Sequence, residues 1–180
     1  IIMDLNLLRV SMTGQDIENY LPNCKMIEYN DLADYNEITD LLTKPIDYVI
    51  ILIETTADNV GHWVALTKYN NTIEFFNSYG EAPDVQKNTL ISKAKNIEFG
   101  QTENYLTNLL VKSNFNIVYN KLQLQKYSNG STTCGRFCVL RILCLLNQNM
   151  DLKQFLKFMI DLKSKFKNKM SYDEIVCVLI

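Results

Sequence analysis

Few side chains in this chain are built for chemistry, and one cysteine and one histidine stand out among them. His62 is the only histidine in 180 residues, so any reaction that needs an imidazole must use it. Cys134 ends the polar run Ser128-Asn-Gly-Ser-Thr-Thr and opens Cys134-Gly-Arg-Phe-Cys138-Val-Leu-Arg-Ile142. Beyond it Phe137, Val139, Leu140, Leu143, Leu145 and Leu146 fall at helical spacing, with no Pro or Gly after Gly135. That pattern puts a thiol in the first turn of a buried helix, where unpaired N–H groups and the positive end of the dipole favour a thiolate. Gly135 removes a side chain where a substrate backbone would approach. A buried helix that merely begins with cysteine gives the same pattern, so the rest of the chain has to decide.

His62 follows Gly61 and opens the segment His62-Trp-Val-Ala-Leu-Thr-Lys-Tyr69. After Asn70-Asn71 comes Thr72-Ile-Glu-Phe-Phe-Asn77, and the two-residue Asn link favours a primed hairpin turn. This register pairs residue 62 with about 79 and residue 64 with about 77, bringing Asn77 close to His62. The Asn77 carbonyl could then accept the Nδ1–H and leave Nε2 as the base. The alternatives are a strand-end histidine and a turn asparagine. Gln125 precedes the Cys134 loop, and its amide could donate to an oxyanion beside the Cys134 N–H, a contact worth about 3 kcal/mol in a transition state. Gln123 is its rival. Trp63 packs against the imidazole, lines a peptide groove, or belongs to the core.

Thr13 and Asp16 form a capping box that starts a helix running to about Tyr20, before Leu21-Pro22. A second short helix spans Tyr35 to Leu42. Asp47 to Glu54 is a β-branched run that reads as a central strand buried on both faces, followed by a polar loop from Thr55 to Gly61. Val85 to Lys95 and Thr102 to Lys112 read as helices. Asn116 to Gln125 alternates as a strand, with Ile117 and Tyr119 on its apolar face and Leu122 and Leu124 joining after a shift. Asp151 to Phe166 is a helix, and Ser171 to Glu174 is a capping box opening a last helix to Ile180. No repeat, linker or low-complexity tract divides the chain. The expectation is one domain over residues 1–180, of α+β class. A small central mixed or antiparallel sheet packs against the helix carrying Cys134, with further helices around it.

Composition narrows the rest. A 47% hydrophobic chain of this length supports a full core, and a net charge of −2 exerts no general pull towards nucleic acid or anionic membrane. The apolar run Tyr48 to Ile53 is too short to span a bilayer, and Ile1-Ile2-Met3-Asp4 has no signal-peptide character, Met3 being a candidate start. Five cysteines are an odd number, and Cys134 and Cys138 lack a second pair to complete a zinc site. No metal and no cofactor is required, and a reducing compartment suits these thiols.

Gly-His62-Trp-Val-Ala-Leu, then Phe-Phe-Asn77-Ser-Tyr-Gly80, then Gln125, then Thr-Cys134-Gly-Arg-Phe-Cys resembles the adenovirus-protease/SUMO-protease group of cysteine proteases. Within that group it looks most like the small capsid-maturation proteases of adenoviruses, virophages and related DNA elements. The resemblance covers about residues 47–146 and implies an adenain-like fold. It makes Cys134 the nucleophile, His62 the general base, Asn77 the residue that orients it and Gln125 the oxyanion donor, with Trp63 and Gly135 at the substrate. It further implies capsid or core precursors as substrates, cut beside small residues, often after glycine, in the virion or the cytoplasmic virus factory. The third place of the triad usually holds Asp or Glu; a neutral Asn77 stabilises an imidazolium less. Gln125 also lies nine residues before Cys134, further than is usual in the group.

The adenoviral members of the group it resembles use DNA as an activator. Lys153, Lys157, Lys163, Lys165, Lys167 and Lys169 face only Asp161 over this stretch, so weak DNA contact competes with a plain solvated helix face. Two other functions fit the same Cys/His set: a deconjugating protease for ubiquitin-like modifiers, and an acyltransferase. A monomer that does not engage a membrane is expected.

Overall fold

The structure, a computed structural model, describes residues 5–127 and 131–180. The Ser128-Asn-Gly start of the polar run and the Met3 segment lie outside the described residues.

A 3-10 turn at Leu5–Arg9 leads into helix α1 (Gly14–Tyr20), which starts at the Thr13–Asp16 capping box. Strand β1 (Lys25–Glu28), a 3-10 turn (Tyr29–Asp34) and helix α2 (Ile38–Leu41) follow. Next come strands β2 (Asp47–Ala57), β3 (Val60–Tyr69) and β4 (Thr72–Phe76). Helices α3 (Val85–Leu90), α4 (Lys93–Glu98) and α5 (Tyr105–Lys112) precede strand β5 (Asn116–Tyr119). Helices α6 (Cys134–Gln148), α7 (Leu152–Lys165) and α8 (Tyr172–Leu179) complete the chain. This is the α+β class expected.

The five strands lie in sequence order in one mixed sheet. β2, β3 and β4 form an antiparallel core, while β1 and β5 pair parallel to its two edges. β2 alternates across the sheet: Ile50 enters the cluster beneath α6, whereas Val49, Ile51 and Ile53 enter the cluster on the opposite face. Both faces are therefore covered, as its unbroken apolar run requires. α6 with α1, α7 and α8 covers one face, and the Tyr29–Asp34 turn with α2 and α5 covers the other.

Four expectations are corrected. The loop expected at Thr55–Gly61 is mostly strand: β2 and β3 run past a bulge between Glu54 and Ala57 and turn at Asp58-Asn59, with Asn59 at a φ of 59°. A Cβ on Gly61 would lie 2.0 Å from the Ile53 carbonyl oxygen, so only glycine allows this approach. The helix expected over Val85–Lys95 splits into α3 and α4, because Ser92 caps a new helix by accepting the Lys95 N–H. The Tyr35–Leu42 helix shortens to α2. The strand expected to run to Gln125 stops at Tyr119, because Asn120 turns its side chain onto the Asn77 backbone. β1 is not legible in the sequence, since four residues with weak alternation carry too little pattern.

No helix among the described residues is long and apolar enough to cross a membrane. All five cysteines are unpaired.

Candidate active site

The β3–β4 ladder pairs Ala65 with Phe76, and its continuation sets Val64 opposite Asn77 and His62 opposite Tyr79. His62 is not a strand-end histidine, since β3 begins at Val60. It sits inside β3 and is 4% exposed. Its Nε2 lies 2.9 Å from Asn77 Oδ1. The Tyr79 backbone N–H also reaches Oδ1, at 3.0 Å, and an N–H can only donate, so Oδ1 is an acceptor and Nε2 carries the imidazole proton. The expected tautomer is thus reversed: Nδ1, not Nε2, is the nitrogen left free to act as a base.

Asn77 is buried and every polar group on it is engaged. Its N–H donates to Asn120 Oδ1 at 2.9 Å, and its carbonyl accepts from Asn120 Nδ2 at 2.7 Å and from the Gly80 N–H at 2.8 Å. Its Nδ2 donates to Gln86 Oε1 at 3.1 Å. Gly80 has a φ of 77° and a Cβ there would meet the Leu122 carbonyl carbon at 2.8 Å, so glycine is required where the chain turns out of β4.

Cys134 occupies the first turn of α6, as its spacing predicts. Burial raises the thiol above its ordinary value, outweighing the backbone N–H groups of Trp63, Gly135 and Cys134 itself, which favour its thiolate. Among the described residues no hydrogen bond joins the sulfur to the imidazole. The thiol meets the site through Trp63, the residue next to His62. The loop before Cys134 is tied down from α8: Ser131 Oγ and Thr133 Oγ1 both donate to Asp173, which also accepts the Lys126 N–H at 3.1 Å.

Gln125 is buried beside the same corner rather than at a strand end. The Ser78 hydroxyl donates to its Oε1 at 2.7 Å, and its Nε2 donates to the Ser131 carbonyl at 3.0 Å, leaving the second amide N–H without a partner among the described residues. Gln123 Nε2 donates to the Gln125 carbonyl instead. Trp63 Nε1 donates to the Met12 carbonyl at 3.0 Å, and its ring does not lie on the imidazole. A Cβ on Gly135 would meet Met12 Cβ at 3.0 Å and Trp63 Cδ1 at 3.2 Å. The space freed by Gly135 is therefore filled by the protein's own side chains, not held open for a substrate backbone.

The aromatic partner of His62 is Tyr79, stacked at 4.4 Å between centroids and 10° between planes, with Tyr127 stacked on Tyr79 at 4.2 Å. The hairpin register that pairs residues 62 and 79 carried this signal. Gln86, Asn120 and Asp173 had none, since their approach depends on the packing of distant elements.

Burial lowers the imidazole from 6.5 to about 4, against the opposing pull of the Asn77 contact. As pH falls, the unfolded chain therefore takes up the proton before the folded one does. The stability this represents is complete above about 6.5 and is lost progressively as pH falls through about 4, by roughly 3 kcal/mol in all. In denaturant titrations, the advantage of wild type over His62→Gln should shrink by about this amount between pH 7 and pH 4. A difference that stays constant over that range would mean the imidazole is not buried in its neutral form.

No protein-family model matches the chain. Solved structures similar to it include two forms of one protease. The crystal structure of the ASFV pS273R protease has a TM-score of 0.39 and 18% identity, covering 74% of this chain and 52% of that one. Its selenomethionine form has a TM-score of 0.44 and 12% identity, covering 98% and 65%. The chain thus spans between half and two thirds of the length of those chains. The uncharacterized protein V9 of Sputnik virophage is 36% identical over 173 residues, covering 95% of this chain and 94% of the relative. Aligned along nearly the whole length of both proteins, this chain belongs to the family of the Sputnik virophage protein V9.

Proposed function

We propose that the protein is a cysteine endopeptidase that cuts viral capsid or core precursors beside small residues such as glycine during particle assembly. The observation that carries this reading is the convergence at one sheet corner. Cys134 starts a buried helix against the backbone of Trp63, while the adjacent His62 hands its Nε2–H to Asn77 at 2.9 Å. The virophage relative supports the viral setting.

In this reading the thiol proton passes to His62 Nδ1 as the sulfur attacks the scissile carbonyl carbon. The C=O electron pair moves onto oxygen, and the Cys134 N–H and the second N–H of Gln125 stabilise that oxyanion. Collapse breaks the C–N bond, and the leaving amine takes the proton from Nδ1. Water then attacks the thioester, with Nδ1 again accepting a proton, and the acid product leaves as the thiol is restored. Both groups start neutral: burial holds the thiol protonated and the imidazole unprotonated. Proton transfer therefore accompanies attack, in place of a preformed ion pair.

The purified protein incubated with a capsid precursor, with and without double-stranded DNA, tests the assignment. Discrete products with new termini beside small residues are expected, and Asn77→Ala should slow cleavage by about 10²-fold. Failure to cut any precursor, with or without DNA, would remove the capsid role.

A further inference from the structure

We propose that Gln86 is the positioning residue that allows an asparagine to serve as the partner of His62, by selecting which end of the Asn77 amide faces the imidazole. The inference rests on the reading of His62 and Cys134 given above.

A carboxylate presents two equivalent oxygens, so either rotation leaves an acceptor in place. An amide does not, because a half-turn about its last torsion exchanges an acceptor for a donor at almost no steric cost. If Asn77 turned over, Nδ2 would face His62 Nε2. Nε2 would then have to accept, the imidazole proton would move to Nδ1, and the nitrogen needed as the base would be blocked. Two contacts oppose this. The Tyr79 N–H donates to Oδ1, and Gln86 Oε1 accepts from Nδ2 at 3.1 Å. Only the second comes from a side chain, and it engages the end of the amide that must be kept away from His62.

Gln86 is well placed for this task. It is 4% exposed and sits in the first turn of α3, a helix held from several directions. Asp84, at the N-cap, accepts from the Tyr29 hydroxyl and from the Thr107 N–H at 2.8 Å. Lys87, the next residue, is fully buried, and its carbonyl accepts from Asn96 Nδ2 at 2.9 Å. These contacts lock the helix that presents Gln86 and give the His62–Asn77–Gln86 chain a fixed end. Asn77 cannot escape by backbone movement, since Asn120 holds both its N–H and its carbonyl.

The single histidine makes the test clean, because ¹⁵N-histidine labelling reports one imidazole, its tautomer and its titration, with no substrate. Wild type should carry its proton on Nε2. In Gln86→Leu the Nδ1-protonated form should appear, and alkylation of Cys134 by iodoacetamide, followed by peptide mass mapping, should slow roughly tenfold near neutral pH. Gln86→Glu keeps an acceptor for Nδ2, so the wild-type tautomer should persist and the imidazole should titrate higher. In an Asn77→Asp background the preference should reverse. Either carboxylate oxygen can face His62, so the Gln86 acceptor is no longer needed, whereas Gln86→Glu would set two carboxylates against each other and slow alkylation.

A packing role alone would show no such reversal. If Gln86→Leu keeps the wild-type tautomer and titration, the proposal is wrong. Should that variant fail to fold, the Gln86→Glu pair in the two backgrounds decides: equal effects overturn the proposal and opposite effects support it. A wild-type protein with its proton on Nδ1 would instead overturn the reading of the whole site.

Discussion

Cys134→Ala is expected to reduce kcat/KM for precursor cleavage by about 10⁴-fold or more, and His62→Ala by a similar factor. The two act on one proton transfer, so the double variant should be scarcely worse than either single one. Neither change should unfold the protein, because Cys134 contributes a small buried side chain and His62 leaves its strand pairing unaltered. The pH profile gives an independent check. A base must be unprotonated to accept the thiol proton, and His62 sits at about 4, so kcat/KM should hold from neutral pH down to near pH 5 and decline below it. An acid limb between pH 6 and 7 would show that the working imidazole is solvated, with the Tyr79–Tyr127 stack displaced. Undiminished cleavage by Cys134→Ala would remove the nucleophile and with it the proposed activity.

The largest effect on stability is expected at Arg141. Its Nε and one terminal nitrogen each meet a Glu74 carboxylate oxygen at 2.6 Å, and both side chains are fully buried. Another guanidinium nitrogen donates to the Met150 carbonyl at 3.1 Å, and the Tyr69 hydroxyl donates to Glu74 at 2.9 Å. Arg141→Met leaves Glu74 as a buried carboxylate without its cation, which should cost about 3–5 kcal/mol. Replacing both partners, as Arg141→Met with Glu74→Leu, should recover most of that loss, because desolvation of the pair nearly cancels its attraction. Urea titrations of the two single variants and the double variant measure this directly. A loss below about 1 kcal/mol for Arg141→Met would mean the pair is solvated. The position of this pair also bears on the site. It joins α6, seven residues beyond Cys134, to β4, three residues before Asn77. A single variant that remains folded should therefore lose cleavage as well, through misplacement of the nucleophile helix against the strand that leads to Asn77.

How much of this could be read from the sequence depended on the range of the interaction. The capping boxes at Thr13 and Ser171, and the helix opening at Cys134, are written within a few residues and appear where expected. The Asn70-Asn71 link sets the hairpin register, and that register brings His62 and Asn77 together. Short segments failed for the same reason: β1 has too few residues to show a period, and β5 ends early because Asn120 spends its side chain on a strand distant in sequence.

The sequence by itself determined the α+β class, the hairpin and the buried cysteine helix. These follow from local period, turn chemistry and residue type. Only the tertiary structure decided which imidazole nitrogen is free, that Tyr79 rather than Trp63 covers the ring, that Met12 and Trp63 fill the space beside Gly135, and that Gln86 accepts a hydrogen bond from the Asn77 amide. Each of these turns on a contact of a few ångströms between groups brought together by packing. Hydrogen-bond direction and burial are properties of that packing, so the spacing of residues along the chain does not contain them.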